Sequence, residues 1–435
     1  MENCRLFLLI FAVFHAFFSI RSQPYVGINY GEVADNLPPP AATAGLLKST
    51  TLSNLRLYGT DPAIITALAG TNISLVLGVS NGEIPAISSD PSAAASWVSS
   101  NILPFVPASS ISTVSVGNEV LNSGDPSLSS HLLPAMQNLR SALAASPAAA
   151  GIKVSTVHTM AVLSQSDPPS SGAFRADLLP TIESITQFLH DNNSPFMINP
   201  YPYFAYQSDP RPETLAFCLF QPNSGRPDPG SGITYSNMFD AQVDAVRAAL
   251  RAAGFAGVEV VVAETGWPYR GDQGESGASV ENAKAYNGNL VAHLRSMANP
   301  VETYIFALYD EDLKPGPTSE RSFGLFRPDL TPIYDAGILK PESDSGEAAP
   351  PSSATVSPIP PVSPIQAAAA APPAEAVKPA QKCVPGIGGT GCGQPPAQKL
   401  PGTFSRNLSG SGAGLHLRQQ LTPWLPMMML LAALC

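Results

Sequence analysis

The chain has 435 residues, 13% of them charged and 44% apolar, and a formal net charge of −10. That length suits two or three average domains or one large barrel with appendages, and the apolar fraction supports a sizeable core. An acidic chain without basic clusters repels nucleic acid and anionic lipid, which excludes both as expected partners and favours an uncharged one.

At the amino end, Arg5 precedes Leu6 to Phe18, a nearly continuous apolar run. It is too short to span a bilayer and fits a secretory leader over 1–22, with Gln23 opening the mature chain. From 23 to 340, eight short runs rich in apolar and β-branched residues follow: Tyr25–Tyr30, Leu55–Tyr58, Leu75–Val79, Thr113–Val116, Val154–Val157, Phe196–Ile198, Val258–Ala263 and Thr303–Leu308. Most are continuous rather than alternating, as strands buried on both faces require. Helical composition falls between them at Ala41–Lys48, Ser92–Ser99, Leu132–Ala145, Ala176–Asn192, Asn237–Ala253 and Val280–Ala298. In the fifth of these Met238, Val243, Val246 and Leu250 form an apolar stripe. Strands alternating with helices predict a (β/α)8 TIM barrel over 23–340, with no internal repeat of the solenoid kind.

Composition changes sharply near Pro341. The stretch 341–408 is rich in Pro, Ala and Ser and includes Ala367–Ala371. It buries too little apolar area to offset its ordering entropy, and it reads as an extended stalk. Ser409–Ala413 is a run of small residues, and after a short spacer Leu421–Cys435 is apolar apart from Thr422. That order fits a signal over 409–435 for attaching a GPI lipid anchor, with Ser409 as the expected site and Ser411 next. Pro423 and Pro426 argue against a membrane helix there. The expected location is the outer face of the plasma membrane, with the membrane contacted only through the anchor.

Of the five cysteines, Cys4 lies in the leader and Cys435 in the removable tail. Cys383 and Cys392 flank a Pro/Gly-rich loop and form a candidate disulfide in an oxidising compartment. Cys218 sits in the apolar run Leu215–Phe220 and reads as a buried structural thiol. Asn72, Asn192 and Asn407 stand in N-x-S/T sequons, which become candidate glycan sites in a secreted chain. The six histidines are scattered without metal-ligand spacing, and there is neither a phosphate loop nor a dinucleotide fingerprint, so no metal and no cofactor are expected. His158, near the end of the fifth run, reads as a packed or site-lining residue.

Barrel enzymes carry their chemistry at the C-terminal ends of the strands. The fourth run leaves its strand as Val116-Gly117-Asn118-Glu119 and the seventh as Ala263-Glu264-Thr265-Gly266-Trp267-Pro268. One carboxylate just past a strand is ordinary. Two, on strands facing one another across a barrel mouth, match what cleavage of a glycosidic bond needs. One must be protonated to release the departing oxygen, and the other ionised to attack the anomeric carbon.

Six motifs extend the match: Val26-Gly27-Ile28-Asn29-Tyr30-Gly31, Arg56-Leu57-Tyr58, Val116-Gly117-Asn118-Glu119, Asn199-Pro200-Tyr201-Pro202-Tyr203, Glu264-Thr265-Gly266-Trp267-Pro268 and Arg321-Ser322-Phe323-Gly324-Leu325-Phe326. On these, residues 25–335 resemble the plant glycoside hydrolases of family 17, the β-1,3-glucanases. The resemblance implies retaining endo-hydrolysis of β-1,3-glucan such as callose or fungal wall glucan, with Glu119 as acid/base and Glu264 as nucleophile. It also implies that Asn118 meets the sugar 2-hydroxyl, that Tyr201 and Tyr203 lie where a phenol reaches the nucleophile, and that Glu311 and Lys314 line the site. Tyr30, Tyr58, Trp267 and Phe306 are candidate sugar-stacking rings, each competing with a role in the core. Trp267, leaving the strand beside Glu264, is the strongest of them.

Two stretches depart from the usual pattern of the resembled family. Tyr269 stands where a small polar residue is usual, and Tyr309-Asp310-Glu311-Asp312 replaces an amide-rich form. Both bear on the choice of glucan more than on the reaction. With only Cys383 and Cys392 after the barrel, no cysteine-rich binding module is expected. A glucan transglycosylase and a non-catalytic wall-binding protein are the competing readings, and a monomer is expected.

Overall fold

A computed structural model describes residues 26–341. The predicted leader, the anchor signal and the stalk beyond Pro341, with Cys383, Cys392, Asn407 and Ser409, lie outside the described residues.

Eight parallel strands close into a barrel in sequence order: β1 (Val26–Tyr30), β2 (Asn54–Leu57), β3 (Ser74–Val79), β4 (Ser110–Asn118), β5 (Lys153–Thr159), β6 (Phe196–Asn199), β7 (Val260–Thr265) and β8 (Thr303–Ile305). Each corresponds to one predicted run. The continuity of those runs has a direct cause, because both faces of the sheet are buried. Val76, Val157, Met197, Val261, Ala263 and Tyr304 fill the barrel interior. Their neighbours Leu75, Leu77, Phe196, Ile198, Val260 and Val262 join the larger core that includes the helices. The eighth run stops at Ile305 rather than Leu308. Beyond it the Phe306 and Leu308 N–H groups still donate to the Thr265 and Asn29 carbonyls, each at 2.8 Å, outside the regular register.

The six predicted helices are present as α1 (Pro40–Lys48), α4 (Pro91–Asn101), α5 (Pro126–Ala144), α6 (Leu179–Asp191), α9 (Met238–Ala252) and α10 (Val280–Ser296). In α9 the buried face holds Phe239, Val243, Val246 and Leu250, so Phe239 takes the place expected for Met238. Four short helices escaped prediction: α2 (Pro62–Ala67), α3 (Ile84–Ser89), α7 (Pro202–Ser208) and α8 (Pro212–Cys218). Each is about two turns or less, too short to display an amphipathic period. Each of the four has a proline in its first turn. Asp61, Asp90 and Asp125 cap α2, α4 and α5 by accepting a backbone N–H two residues on, and each precedes a proline at the first helical position. Two small hairpins, Leu163–Gln165 with Ala173–Phe174 and Arg226–Asp228 with Ile233–Tyr235, sit in the connections after β5 and β6.

Candidate active site

Glu264 is the penultimate residue of β7, 6% exposed, with donors on both carboxylate oxygens. Arg56 Nη1 and Tyr58 Oη each donate to Oε1 at 2.7 Å, and Tyr201 Oη donates to Oε2 at 3.0 Å. Arg56 projects from β2 and is 2% exposed. A guanidinium that deeply buried has to be paired. Its Nη1 also reaches Asn29 Oδ1 at 3.0 Å and its Nη2 reaches Asn118 Oδ1 at 2.8 Å. One side chain thus ties together residues of β1, β2, β4 and β7. Burial first, and the charge of Glu264 second, hold the Tyr58 and Tyr201 phenols well above their ordinary range, so both remain donors.

Glu119 stands opposite, one residue past β4, in the left-handed region at φ 57°. A non-glycine residue held there is strained, and such positions cluster where geometry has to be fixed. Three contacts hold it. Its N–H donates to the Val157 carbonyl at 3.0 Å. Asn81 grips the neighbouring Asn118 peptide, accepting its N–H at 2.8 Å and donating to its carbonyl at 3.1 Å. Asn199, ending β6, donates to Glu119 Oε1 at 2.7 Å. Gly117 just before it has φ 69°, and a side chain there would meet Val120, Ile84 and Asn81 within 3 Å. Burial, and next the charge of Glu264, push the Glu119 carboxyl up to about 7, against the opposing pull of Asn199, Arg56 and Lys314. The site therefore holds one carboxyl that keeps its proton near neutrality and one carboxylate surrounded by donors. That pair can protonate a leaving oxygen and attack the carbon it leaves.

Both face a cleft of about 650 Å³ at the C-terminal mouth of the barrel. Tyr58, Asn118, Tyr201, Phe306, Glu311 and Lys314 line it as expected. Glu311 accepts the Val33 N–H at 3.1 Å, and Lys314 Nζ lies 4.0 Å from Glu311, 3.2 Å from Glu320 and 4.6 Å from the Phe306 ring centre. A Cβ at Gly31 would stand 2.1 Å from the Glu311 carboxyl carbon, so a side chain there would push that carboxyl out of its place.

Three expectations are corrected. Trp267 is fully buried and offers no face to a sugar. It packs between Tyr203, Tyr206 and Tyr286, and its Nε1 donates to the Gly277 carbonyl at 2.8 Å. The strand that carries Glu264 out of the barrel drives Trp267 back under the α7 connection. Tyr203 is also fully buried, its hydroxyl accepting from Gln207 at 2.7 Å rather than reaching Glu264. Tyr30 is 4% exposed and packs edge-on to Tyr309 at 6.0 Å, outside the cleft wall. Tyr269 neither narrows the cleft nor lines it. Its hydroxyl donates to Asp310 at 2.6 Å, so the two departures from the expected pattern are bonded to each other.

Sequence reasoning passed over Arg56, Asn29, Asn199, Phe204 and Phe323 as site residues. The signal for Arg56 was present, since it is the one charge in the buried run Asn54–Leu57. Phe204, 40% exposed at the cleft rim, gave no signal, because only α7 places it there.

The remaining singled-out groups lie elsewhere. Cys218 is buried and donates weakly to the Pro202 carbonyl, and burial pushes its thiol up to about 12. His158 is packed against Phe196, both ring nitrogens unpartnered, and burial pulls it down to about 4. Asn72 is exposed at a turn, whereas Asn192 donates its amide to the Phe188 carbonyl at 2.8 Å. Among the described residues no group of three or more His, Cys, Asp or Glu is placed to hold a metal ion.

The chain is 61% identical over 346 residues to glucan endo-1,3-beta-glucosidase 7 of Arabidopsis thaliana, covering 78% of this chain and 68% of that one. It is 53% identical over 347 residues to a glucan endo-1,3-beta-D-glucosidase of Olea europaea, covering 78% and 75%. Among solved structures it is similar to a beta-1,3-glucanase and allergen of Cryptomeria japonica pollen, with a TM-score of 0.68, 39% identity and coverage of 72% and 98%. It is also similar to a plant beta-glucan endohydrolase, with a TM-score of 0.65 and 35% identity, covering 71% and 99%. Residues 26–338 match the model of glycosyl hydrolases family 17, and the chain belongs to that family.

Proposed function

We propose that this protein is an endo-acting β-1,3-glucanase that works with retention of configuration, Glu119 as acid/base and Glu264 as nucleophile. The observation that carries this is the opposite environment of two carboxyl groups in one cleft: Glu119 raised to about 7, Glu264 held by Arg56, Tyr58 and Tyr201. The similarity to glucan endo-1,3-beta-glucosidases and to a beta-1,3-glucanase supplies the substrate class.

In the first step Glu119 gives its proton to the glycosidic oxygen as a Glu264 oxygen attacks the anomeric carbon. The leaving chain departs as an alcohol, and a glycosyl ester forms. Glu119, now ionised, takes a proton from water. The water oxygen attacks the same carbon, and Glu264 leaves as carboxylate. Asn118 commits its oxygen to Arg56, which leaves its amide nitrogen free to meet the sugar 2-hydroxyl. Lys314 draws on Glu119 and steadies the carboxylate it becomes.

The leader over 1–22 and the small-residue run with its apolar tail over 409–435 support secretion and lipid anchoring at the outer membrane face. A lipase specific for phosphatidylinositol anchors should release the protein from membranes, and retention after treatment would remove the anchor reading.

The decisive test is a linear β-1,3-glucan incubated with the protein and with Glu264→Ala. The protein should produce short oligomers and new reducing ends, first in the β-anomer. The variant should be slower by about 10⁴-fold or more. Longer oligomers without new reducing ends would instead mean transglycosylation, and an initial α-anomer would sink retention.

A further inference from the structure

One carboxyl in the cleft has no part in the chemistry above. Glu32 follows β1 and lines the cleft with Val33, Tyr58 and Gly59. It is half-buried, and its carboxyl shares a hydrogen bond with the Asp61 carboxyl, with no ion pair to it among the described residues. The groups around it are acids or phenols. Asp61, which caps α2, approaches from the β2 exit, Glu311 from the β8 exit, and Tyr30 from β1 itself. The nearby cation Lys314 is already shared between Glu311 and Glu320. Burial first, then Asp61 and Glu311, push Glu32 up to about 7. Over the lower pH range it is a neutral acid, donor and acceptor at once, hydrogen-bonded to Asp61 and still lining open cleft. An anion is repelled from such a place. A neutral polyol satisfies it, because a hydroxyl also both donates and accepts. Glu32 sits over the β1 and β2 exits, whereas Glu119 and Glu264 leave β4 and β7, so it faces a sugar unit beside the reacting one.

We propose that Glu32 is a substrate-binding residue of this cleft, its carboxyl hydrogen-bonding a hydroxyl of a glucose unit adjacent to the one that reacts. This rests on the reading of the cleft as a glucan site, and its test is kept separate from catalysis.

Binding of a linear β-1,3-linked glucose oligomer is measured by calorimetry on the full chain carrying Glu119→Gln, so that the ligand is not cut and Glu119 no longer titrates. Glu32 is compared with Glu32→Gln and Glu32→Ala. Glu32→Ala should weaken Kd by about five- to tenfold, and Glu32→Gln, which also donates and accepts, by no more than about twofold. A bound sugar excludes water and disfavours the charged carboxylate. Affinity with Glu32 should therefore fall as pH rises through about 7, and with Glu32→Gln stay flat. If Glu32→Ala is shown by melting to be unfolded, the pH comparison between Glu32 and Glu32→Gln decides alone. Equal Kd for all three at every pH, or no binding of the oligomer by any, overturns the proposal. Glu32-dependent binding by a protein whose unmodified form releases no reducing ends would leave this proposal standing and remove the hydrolytic one.

Discussion

The two mouths of the barrel are alike in inventory and unlike in arrangement. At the N-terminal mouth a hollow of about 460 Å³ also holds two carboxylates. Half-buried Glu302 accepts from Asn54 at 2.9 Å and from Tyr304 at 2.7 Å, and Glu259 pairs with Lys153 at 3.7 Å. The Glu259 and Lys153 side chains are 61% and 37% exposed, so water screens that pair and it contributes little. Tyr304 is the single aromatic lining that hollow. At the C-terminal mouth the guanidinium is buried, the acid sits at positive φ, and Tyr58, Tyr201, Phe204, Phe306 and Phe323 form the walls. Two carboxylates therefore do not make an active site. What separates the mouths is a fixed, dry set of donors on one carboxylate, and a second carboxyl held close enough to feel its charge. The C-terminal mouth carries the left-handed Glu119 and a desolvated ion pair, while the ion pair at the N-terminal mouth is solvated.

Arg56 carries the largest part of that difference. Replacing it with Ala leaves Glu264 buried without its cation. Unfolding stability should drop by about 3–5 kcal/mol, visible as a lower urea midpoint. A change below about 1 kcal/mol would mean that water enters and relieves Glu264, and would bring the two mouths closer in kind.

Glu119→Gln should reduce kcat by about 10²- to 10⁴-fold on glucan and far less on an aryl glycoside whose leaving group needs no proton. The parent should lose activity as pH rises through about 7, and the variant should lose that limb. Stability follows the same proton. Folding raises the Glu119 pKa from 4.5 to about 7, so the folded protein holds the proton more tightly, and this contribution declines as pH climbs across that window. Thermal melts should show Glu119→Gln gaining on the parent as pH climbs from about 4.5 to about 7, with no further gain above that. Parallel curves for the two proteins would contradict the raised value.

Tyr201→Phe removes one donor from Glu264 and keeps the ring. A loss of about tenfold in kcat with little change in melting temperature is expected, since Arg56 and Tyr58 remain on the other oxygen. At the opposite mouth Glu302→Gln should leave kcat and KM within about twofold, because it keeps the shape and hydrogen bonds to Asn54 and Tyr304. An activity loss there would mean that the barrel transmits changes from one mouth to the other, and the contrast drawn above would fail.

Much of this was legible before any coordinates. The eight strands were visible because burial on both faces makes each one a continuous apolar run, whereas the Asp-Pro pairs at 61, 90 and 125, whose capping chemistry needs only local sequence, went unread as helix starts. Glu119 and Glu264 were visible because each directly follows such a run, and a closed barrel gathers strand ends at one mouth. Trp267 shows the limit of that argument. Its position in the chain beside the nucleophile is the same whether its ring faces the cleft or the core, and packing against Tyr203, Tyr206 and Tyr286 settled the matter. Tyr201 and Tyr203 differ by two residues and by everything else, one touching Glu264 and the other on the buried face of α7.

By itself, then, the sequence determined the strand count, the class of fold and the two carboxylates, because those follow from burial patterns and from residues next to them in the chain. The tertiary structure alone decided that Arg56 binds Asn29, Asn118 and Glu264 together, that Asn199 holds Glu119, that Phe204 rather than Trp267 meets the cleft, and that Tyr269 bonds Asp310. These contacts join residues 27 to 208 positions apart, and no local period or propensity records them. They exist because closing the barrel brings every strand exit to one ring, where a buried charge or polar group must find its partner across the mouth.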